Sequence, residues 1–575
     1  MKKIVSLLLT LAMLALMAFS LVSCGAPKDD GAEISVYLGN EIYDFDPTDY
    51  YVDSNAEQVM RLLFEPLFNY TEKGKLEYAA AEKYVVDENK REIVITLRES
   101  YWSNNSRVKA ADFVYAWCEK LLNANYPNPA AALLYDIENA AQAKSGLVSP
   151  SDIKVEATDI YELTITYREG ADYNRLLKNL ASLATAPIRQ ADVELAPTYW
   201  SKFANSASTN GPFKIRKYSN ASGELVLERN KGYHQALDVV NYTAQVTPGQ
   251  LVGFVTPFGE EIALSYSDIA EKTVFYMQDA PLADRSANAA SKVKDDTSVY
   301  TYVFNTEREM FADARVRLAL SMVIDREAIV EAVTFGKAAD GFLPDVSGGS
   351  DKALIKTTSD DAAMSEAKSL IKAAGFEGKL SFTLSVADDE ESRAVAEIVV
   401  AAWKELGCNV KVDYLAGVDT TIGVDPDTVT FSDSEIQAIV KDASYGDRNF
   451  DVIAVDWQTY SADPFVALAA FTSDINGCGK DFTAQAARTN ISGWAATAYD
   501  QLVTKAFKAE GEERAALLEE AEAALCEAMP VIPLYFNQTF VFSSPDLSGF
   551  TYDGLGNVFF NKVRQKNYEE YLEKE

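Results

Sequence analysis

Strand-like and helix-like apolar rhythms alternate along this chain, and no other feature limits its fold as much. Residues 91–98 place Ile93, Ile95 and Leu97 on one face at period two, and residues 161–167 do the same with Leu163, Ile165 and Tyr167. Between such strands the spacing lengthens. Ala110 to Leu122 carries Phe113, Trp117 and Leu121 four residues apart, the inward stripe of an amphipathic helix. Asp313 stands ahead of Val316, Leu320 and Val323, where its carboxylate can cap the helix they define. Residues 365–374 and 394–406 predict two more helices, with a strand over 380–386 between them. Residues 499–529 predict a long amphipathic stretch broken at Gly511 and stopped by Pro530 and Pro533. Residues 419–448, rich in Asp, Thr and Ser, read as a surface excursion with one short helix over 435–441. Strands interleaved with helices imply an α/β architecture of several lobes, and 575 residues agree with roughly three or four domains. No internal repeat is visible.

Charge narrows the function. The 53 Lys and Arg against 86 Asp and Glu leave a net charge of −33. Such a surface repels phosphate backbones, so nucleic-acid binding through a basic patch is not expected. His234 is the one histidine of the chain, which removes metal sites needing two histidines and any His-based triad built elsewhere. A surface or packing role is expected for it. There is no Gly-x-Ser-x-Gly elbow, phosphate-cradling glycine loop or His-Glu-x-x-His motif, and no carboxylate pair stands out from the solvated background. No catalysis and no cofactor are therefore expected. Cys118, Cys408, Cys478 and Cys526 are widely scattered and read as buried free thiols, with a bridge involving Cys478 as the alternative.

The chain opens Met1-Lys2-Lys3 and then runs uncharged from Ile4 to Val22. A basic start followed by an apolar run is the layout of a secretory signal, although the run is also just long enough to span a bilayer. Leu21-Val22-Ser23-Cys24-Gly25 resembles the lipobox of bacterial lipoproteins, whose cysteine is lipidated and becomes the first mature residue. The resemblance implies a signal peptide over 1–23, lipidation at Cys24, and a tether over 24–32 that holds the chain on the extracytoplasmic face of the cell membrane.

A series of further blocks resembles a larger family. They begin with Asp44-Phe45-Asp46-Pro47 and Leu63-Phe64-Glu65-Pro66-Leu67. Next come Leu97-Arg98 and Trp102-Ser103 followed by Ala110-Ala111-Asp112-Phe113-Val114 and Trp117. Asn210-Gly211-Pro212-Phe213, Leu227-Glu228-Arg229-Asn230 and Tyr233 follow, then Phe304-Asn305, Ala314 to Leu320 and Ile324-Asp325-Arg326. The last are Trp457, Asp463-Pro464 and Met529 to Tyr535. In this order they resemble the extracellular solute-binding proteins of ABC transporters, in the class with oligopeptide-, dipeptide- and nickel-binding members (solute-binding family 5). Most of these residues also have a structural reading. Gly211-Pro212 is a turn, Trp102, Trp117 and Tyr233 are core, and Arg315 and Arg317 pair with local carboxylates.

The resemblance implies a three-lobed, periplasmic-binding-protein-like α/β fold. Lobe I would be discontinuous over 33–64, 187–297 and 538–575, accessory lobe II would cover 65–186, and lobe III would cover 298–537. Crossovers near 299–305 and 535–539 would let the two main lobes close on a solute by hinge bending. Peptide-binding members treat the ligand as an added strand. One wall would be Tyr51, Val52 and Asp53, and the other Trp457, packed on the ligand, with Gln458 and Tyr460 hydrogen-bonding it and Asn537 reaching in from a neighbouring strand. Oligopeptide binders carry an amine-anchoring Asp three residues after the tryptophan, where this chain has Tyr460; Asp53 or Asp456 could replace it. The expected function is an ABC-importer receptor for short peptides or peptide-like solutes. Its expected partners are a permease and an ATPase, and a monomer is expected. An oligosaccharide or other small-solute receptor and a sensing lipoprotein remain the alternatives. Nickel or haem capture is less compatible with one histidine.

Overall fold

The computed structural model describes residues 32–37, 44–48, 54–126, 128–197, 199–202, 207–219, 224–235, 239–245, 252–255, 261–263, 275–278, 282, 285, 292–415, 435–444, 446–473, 489–543 and 547–565. Cys24, Cys478, Tyr51, Val52 and Asp53 lie outside the described residues, as does most of the excursion before the helix Glu435–Ser444.

Among the described residues the apolar rhythms resolve into one long mixed sheet, a smaller antiparallel one and four two-stranded ones. The long sheet runs Asn409–Leu415, Ser381–Ala387, Val452–Gln458, Lys292–Phe304, Val531–Ser543, Phe275–Gln278, Ala32–Tyr37, Val239–Gln245, Glu224–Arg229, Phe213–Ser219. Two of its strands are thirteen residues long and belong to both halves. Lys292–Phe304 and Val531–Ser543 pair antiparallel with each other. At one end Val452–Gln458 flanks them through residues 298–304, and at the other Phe275–Gln278 flanks them through residues 541–543. These two strands carry the segments expected as crossovers, near 299–305 and 535–539, and take the name crossover strands from that expectation. Their pairing is interrupted between Asp295↔Gln538 and Val299↔Phe536, leaving 296–298 opposite Asn537.

The smaller sheet has the order Ala81–Asp87, Glu92–Leu97, Glu162–Thr166, Val155–Asp159 and buries Ile93, Ile95, Leu163 and Ile165 completely. Against it lies the helix expected from Ala110. It is α-helical over Ala110–Tyr115 and winds into a π-helix over Ala116–Leu121, keeping Phe113, Trp117 and Leu121 buried. Buried Lys144 donates from Nζ to the carbonyls of Leu121, Asn123 and Tyr126 where that helix ends. The Trp-Ser and Ala-x-Asp-Phe blocks meet for a physical reason. Asp112 accepts from the Lys109 backbone N–H (2.9 Å) and the Trp102 indole (3.1 Å), tying the helix start to the preceding turn.

The other blocks converge on Glu65. Asn210 donates to its carbonyl (2.9 Å) and accepts from its N–H (3.0 Å), while the Tyr233 hydroxyl and His234 Nε2 (2.7 Å) reach its carboxylate. His234 is thus an interior polar partner rather than a surface residue. Gly211 is needed here for proximity rather than for turn freedom: a Cβ would stand 2.6 Å from the Leu63 carbonyl carbon.

Asp313 caps Ala314–Met322, as expected, and Arg315 pairs with it at 2.6 Å. The same expectation for Arg317 is corrected. Arg317 is buried and donates to the carbonyls of Phe311, Ala312, Ala528 and Met529, which end two helices and lack intrahelical partners. Asp313 is already committed to Arg315, and burial brings Arg317 down to about 10. The long C-terminal stretch forms Thr497–Lys508 and Gly511–Ala528, broken at Ala509–Glu510 just before Gly511 and ended by Met529 at φ 50°. Cys118, Cys408 and Cys526 are buried free thiols. Among the described residues no helix is long and apolar enough to cross a membrane.

Candidate functional site

Val452–Gln458 pairs with the first crossover strand in the register Val299↔Trp457, Tyr300↔Asp456 and Ser298↔Gln458. Residues directly opposite in an antiparallel pair share a face, so Trp457 and Gln458 look to opposite sides of the sheet. On one side Trp457 is 5% exposed, with its ring stacked on Phe471 (4.8 Å, 26°) and edge-on to Phe342 (6.0 Å). The ring expected to pack on a ligand is thus engaged with the protein's own core.

The other side is polar and sits where the crossover pairing breaks. Asn537 Nδ2 donates to Asp456 Oδ1 (2.6 Å) and Ser298 Oγ (2.7 Å), so it clamps all three strands at the break. Further along the same face, Tyr300 stacks on Tyr535 (5.2 Å, 14°), and their hydroxyls reach Ser392 and Glu391 of the helix Glu390–Glu405. Burial holds both phenols well above their ordinary range, so they act as neutral donors. Gln458 is 1% exposed, and neither atom of its carboxamide has a hydrogen-bond partner. Thr539 Oγ1, buried two residues past Asn537, has none either.

Beyond Gln458 the chain turns sharply. Thr459 donates from its N–H (3.0 Å) and hydroxyl (2.6 Å) to the Thr297 carbonyl in the interrupted segment. Ser461 N–H donates to the Thr459 carbonyl (2.8 Å), closing a γ-turn around Tyr460, which is buried at φ 62°. A non-glycine residue held in this region is strained, and such strain is kept where surrounding contacts over-determine it. One of those contacts comes from the smaller-sheet region: Ser461 Oγ donates to Asn179 Oδ1 (2.8 Å). Asp463 then caps Pro464–Ala469 and pairs with Arg514 (2.9 Å) and Arg175 (3.8 Å). Arg175 and Arg168 in turn share Asp136 at 2.7 and 2.8 Å, and Arg168 also donates to the Phe507 carbonyl.

Sequence reasoning missed Glu522. It lies on the buried stripe of Gly511–Ala528 with Leu518, Ala521 and Leu525, and a glutamate on an apolar stripe was the available signal. Its carboxylate accepts from the backbone N–H groups of Phe342, Leu343 and Ser350 (2.9–3.1 Å). Burial still pushes its carboxyl above the ordinary range. The loop it holds carries Ser347, whose hydroxyl shares a hydrogen bond with Thr459. The sequence-expected residues Gln458, Tyr460 and Asn537 are therefore brought to the break midway along the crossover pair, with Trp457 behind them.

The family model for bacterial extracellular solute-binding proteins, family 5, middle part, matches residues 75–477. The periplasmic murein peptide-binding protein MppA of Escherichia coli is 29% identical over 522 residues, covering 88% of either chain. The periplasmic oligopeptide-binding protein OppA of Salmonella typhimurium is 26% identical, covering 91% of either chain. A solved structure of the Escherichia coli murein tripeptide binding protein MppA superposes with a TM-score of 0.75 at 25% identity, covering 93% of this chain and 99% of that one. The unliganded open form of MppA, covering 93% and 98%, fits less well, at 0.56 and 24% identity. With the model spanning most of its length, the chain belongs to the bacterial extracellular solute-binding proteins of family 5.

Proposed function

We propose that this chain is the lipid-anchored receptor of an ABC importer, which captures a short peptide or peptide-like solute outside the cytoplasm and delivers it to a membrane permease and its ATPase. The observation that carries this reading is the level at which the crossover strands part, at 296–298 opposite Asn537. A pair of strands that loses its pairing at one level can bend there, and the interior polar face of Gln458 and Asn537 lies beside it. The peptide-binding names of relatives that match along nearly the whole chain supply the solute class.

In this reading lobe I covers 33–64, 187–297 and 538–575, accessory lobe II covers 65–186, and lobe III covers 298–537. Gln458, Tyr460 and Asn537 line the cleft, Tyr51, Val52 and Asp53 form the facing wall, and Trp457 holds the wall from behind. The receptor works as a monomer by binding and release, with no bond of the solute made or broken.

Residues 25–575 are to be screened by thermal shift against peptide pools, N-acetylated peptides, oligosaccharides and nickel. A ligand at a hundred times its Kd adds about 2.7 kcal/mol of stability, so the expected result is a raised midpoint with peptides. A shift with oligosaccharides or nickel alone overturns the peptide reading. The anchor has its own test. Replacing Cys24 by serine in the full chain is expected to abolish labelling by a clickable fatty acid; labelling that persists removes Cys24 as the lipid site.

A further inference from the structure

A buried carboxamide with no partner on either atom is a standing cost to the fold, because both the donor and the acceptor have given up water for nothing. Gln458 is in that position while its neighbours on the same face are satisfied: Asn537 is bonded to Asp456 and Ser298, and Tyr300 and Tyr535 to Ser392 and Glu391. The carboxylates on this wall are also engaged, Asp456 by Asn537 and Asp463 by Arg514. What the wall leaves unpaired at the strand break is neutral and two-sided, an N–H donor beside a C=O acceptor. A peptide unit presents the complement of that pair. A charged terminus would use half of it and bury its own charge against no free counter-charge on this wall. The Trp457 ring is not available as a platform for a sugar beside the amide, since it is on the opposite face and stacked on Phe471.

We propose that Gln458 determines specificity by pairing its carboxamide with one neutral amide group of the bound solute, so that the site accepts peptides whose amino terminus is blocked as readily as free ones. This rests on the peptide-receptor reading above. The orphaned hydroxyl of Thr539, near the same break, offers a further neutral contact.

The test uses residues 25–575 and an equimolar pool of tri- to pentapeptides, supplied free and N-acetylated. Native mass spectrometry identifies the retained peptide, and calorimetry then measures its two forms on the wild type, Gln458→Leu and Gln458→Glu. Expected are affinities within about threefold for the free and acetylated forms on the wild type, and a 10- to 100-fold loss of both in Gln458→Leu. The unliganded Gln458→Leu protein is expected to melt at the same temperature or higher, because an unpaired amide has been removed; a merely structural glutamine would lower the midpoint. Gln458→Glu, acceptor only and charged, is expected to favour the free form. If the wild type retains peptides but Gln458→Leu binds them unchanged, or if the free form is preferred tenfold or more, the inference falls and the receptor reading stands. If no peptide is retained in either form, both fall.

Discussion

Replacing Arg326 by leucine is expected to lower the unfolding midpoint by roughly 6–20 °C. Arg326 is fully buried, and its guanidinium donates to the carbonyls of Pro533 (2.8 Å), Ser321 and Lys356 (both 3.3 Å) and to the Ser321 hydroxyl (2.9 Å). The Pro533 carbonyl belongs to the second crossover strand, where its register slips between Tyr300↔Tyr535 and Thr301↔Pro533. A side chain must therefore supply the donor that the ladder does not. Burial works against this arrangement and brings Arg326 down to about 10. Removing it strands buried acceptors at roughly 1–3 kcal/mol each and leaves a void, for a net loss of roughly 3–5 kcal/mol. At about 2–4 °C per kcal/mol for a lobe of this size, the stated shift follows. Arg315→Leu is the comparison, since that side chain is half exposed and bound mainly to Asp313. Calorimetry that finds the two variants melting together would show that the Pro533 carbonyl needs no donor.

These arginines also mark how far the sequence can be read. Arg315, Arg317 and Arg326 stand within one block, and nothing in their spacing separates a surface ion pair from a buried carbonyl clamp. The difference comes from chain that arrives from elsewhere, the end of Gly511–Ala528 and the strand after it. Local signals fared better. The Asp313 cap, the period-two strands around Ile93 and Leu163 and a break beside Gly511, at Ala509–Glu510, are each decided within a few residues, and each is present. The helix from Ala110 was legible as a buried stripe, but its turn to π geometry was not, because the same residues stay buried in either winding. At the candidate site the sequence pointed to Trp457 to Tyr460 but set Trp457 on the same side as Gln458, which the strand register does not. Facing depends on the pairing of Ser298 with Gln458, a register between strands far apart in the chain. Glu65 and Glu522 were hidden for the same reason: a carboxylate that collects distant donors looks like any other of the 86 acidic residues.

Asp463→Asn is expected to weaken capture of the peptide identified by the screen by about 30-fold or more, while leaving each lobe folded. Asparagine caps a helix as well as aspartate does, so Pro464–Ala469 keeps its start. What is lost is the charge between Arg514, on the same side of the proposed cleft, and Arg175, which reaches across from the accessory region. Both guanidiniums are largely buried, with side-chain exposures of 12%, so two cations would face each other with Asp136 already shared between Arg168 and Arg175. Removing one member of a desolvated interfacial pair costs about 2–5 kcal/mol, and 2 kcal/mol is about 30-fold in affinity. The cost falls only on the closed form, because opening the cleft separates the cations and returns them to water. Two readouts must therefore move together: the affinity falls, and small-angle scattering of the liganded variant shows a larger radius of gyration than that of the liganded wild type. A drop in the unliganded midpoint matching the loss of affinity would instead mean that the Arg175–Asp463–Arg514 contact holds the lobes together at all times. The moving boundary would then have to lie elsewhere along the crossover strands.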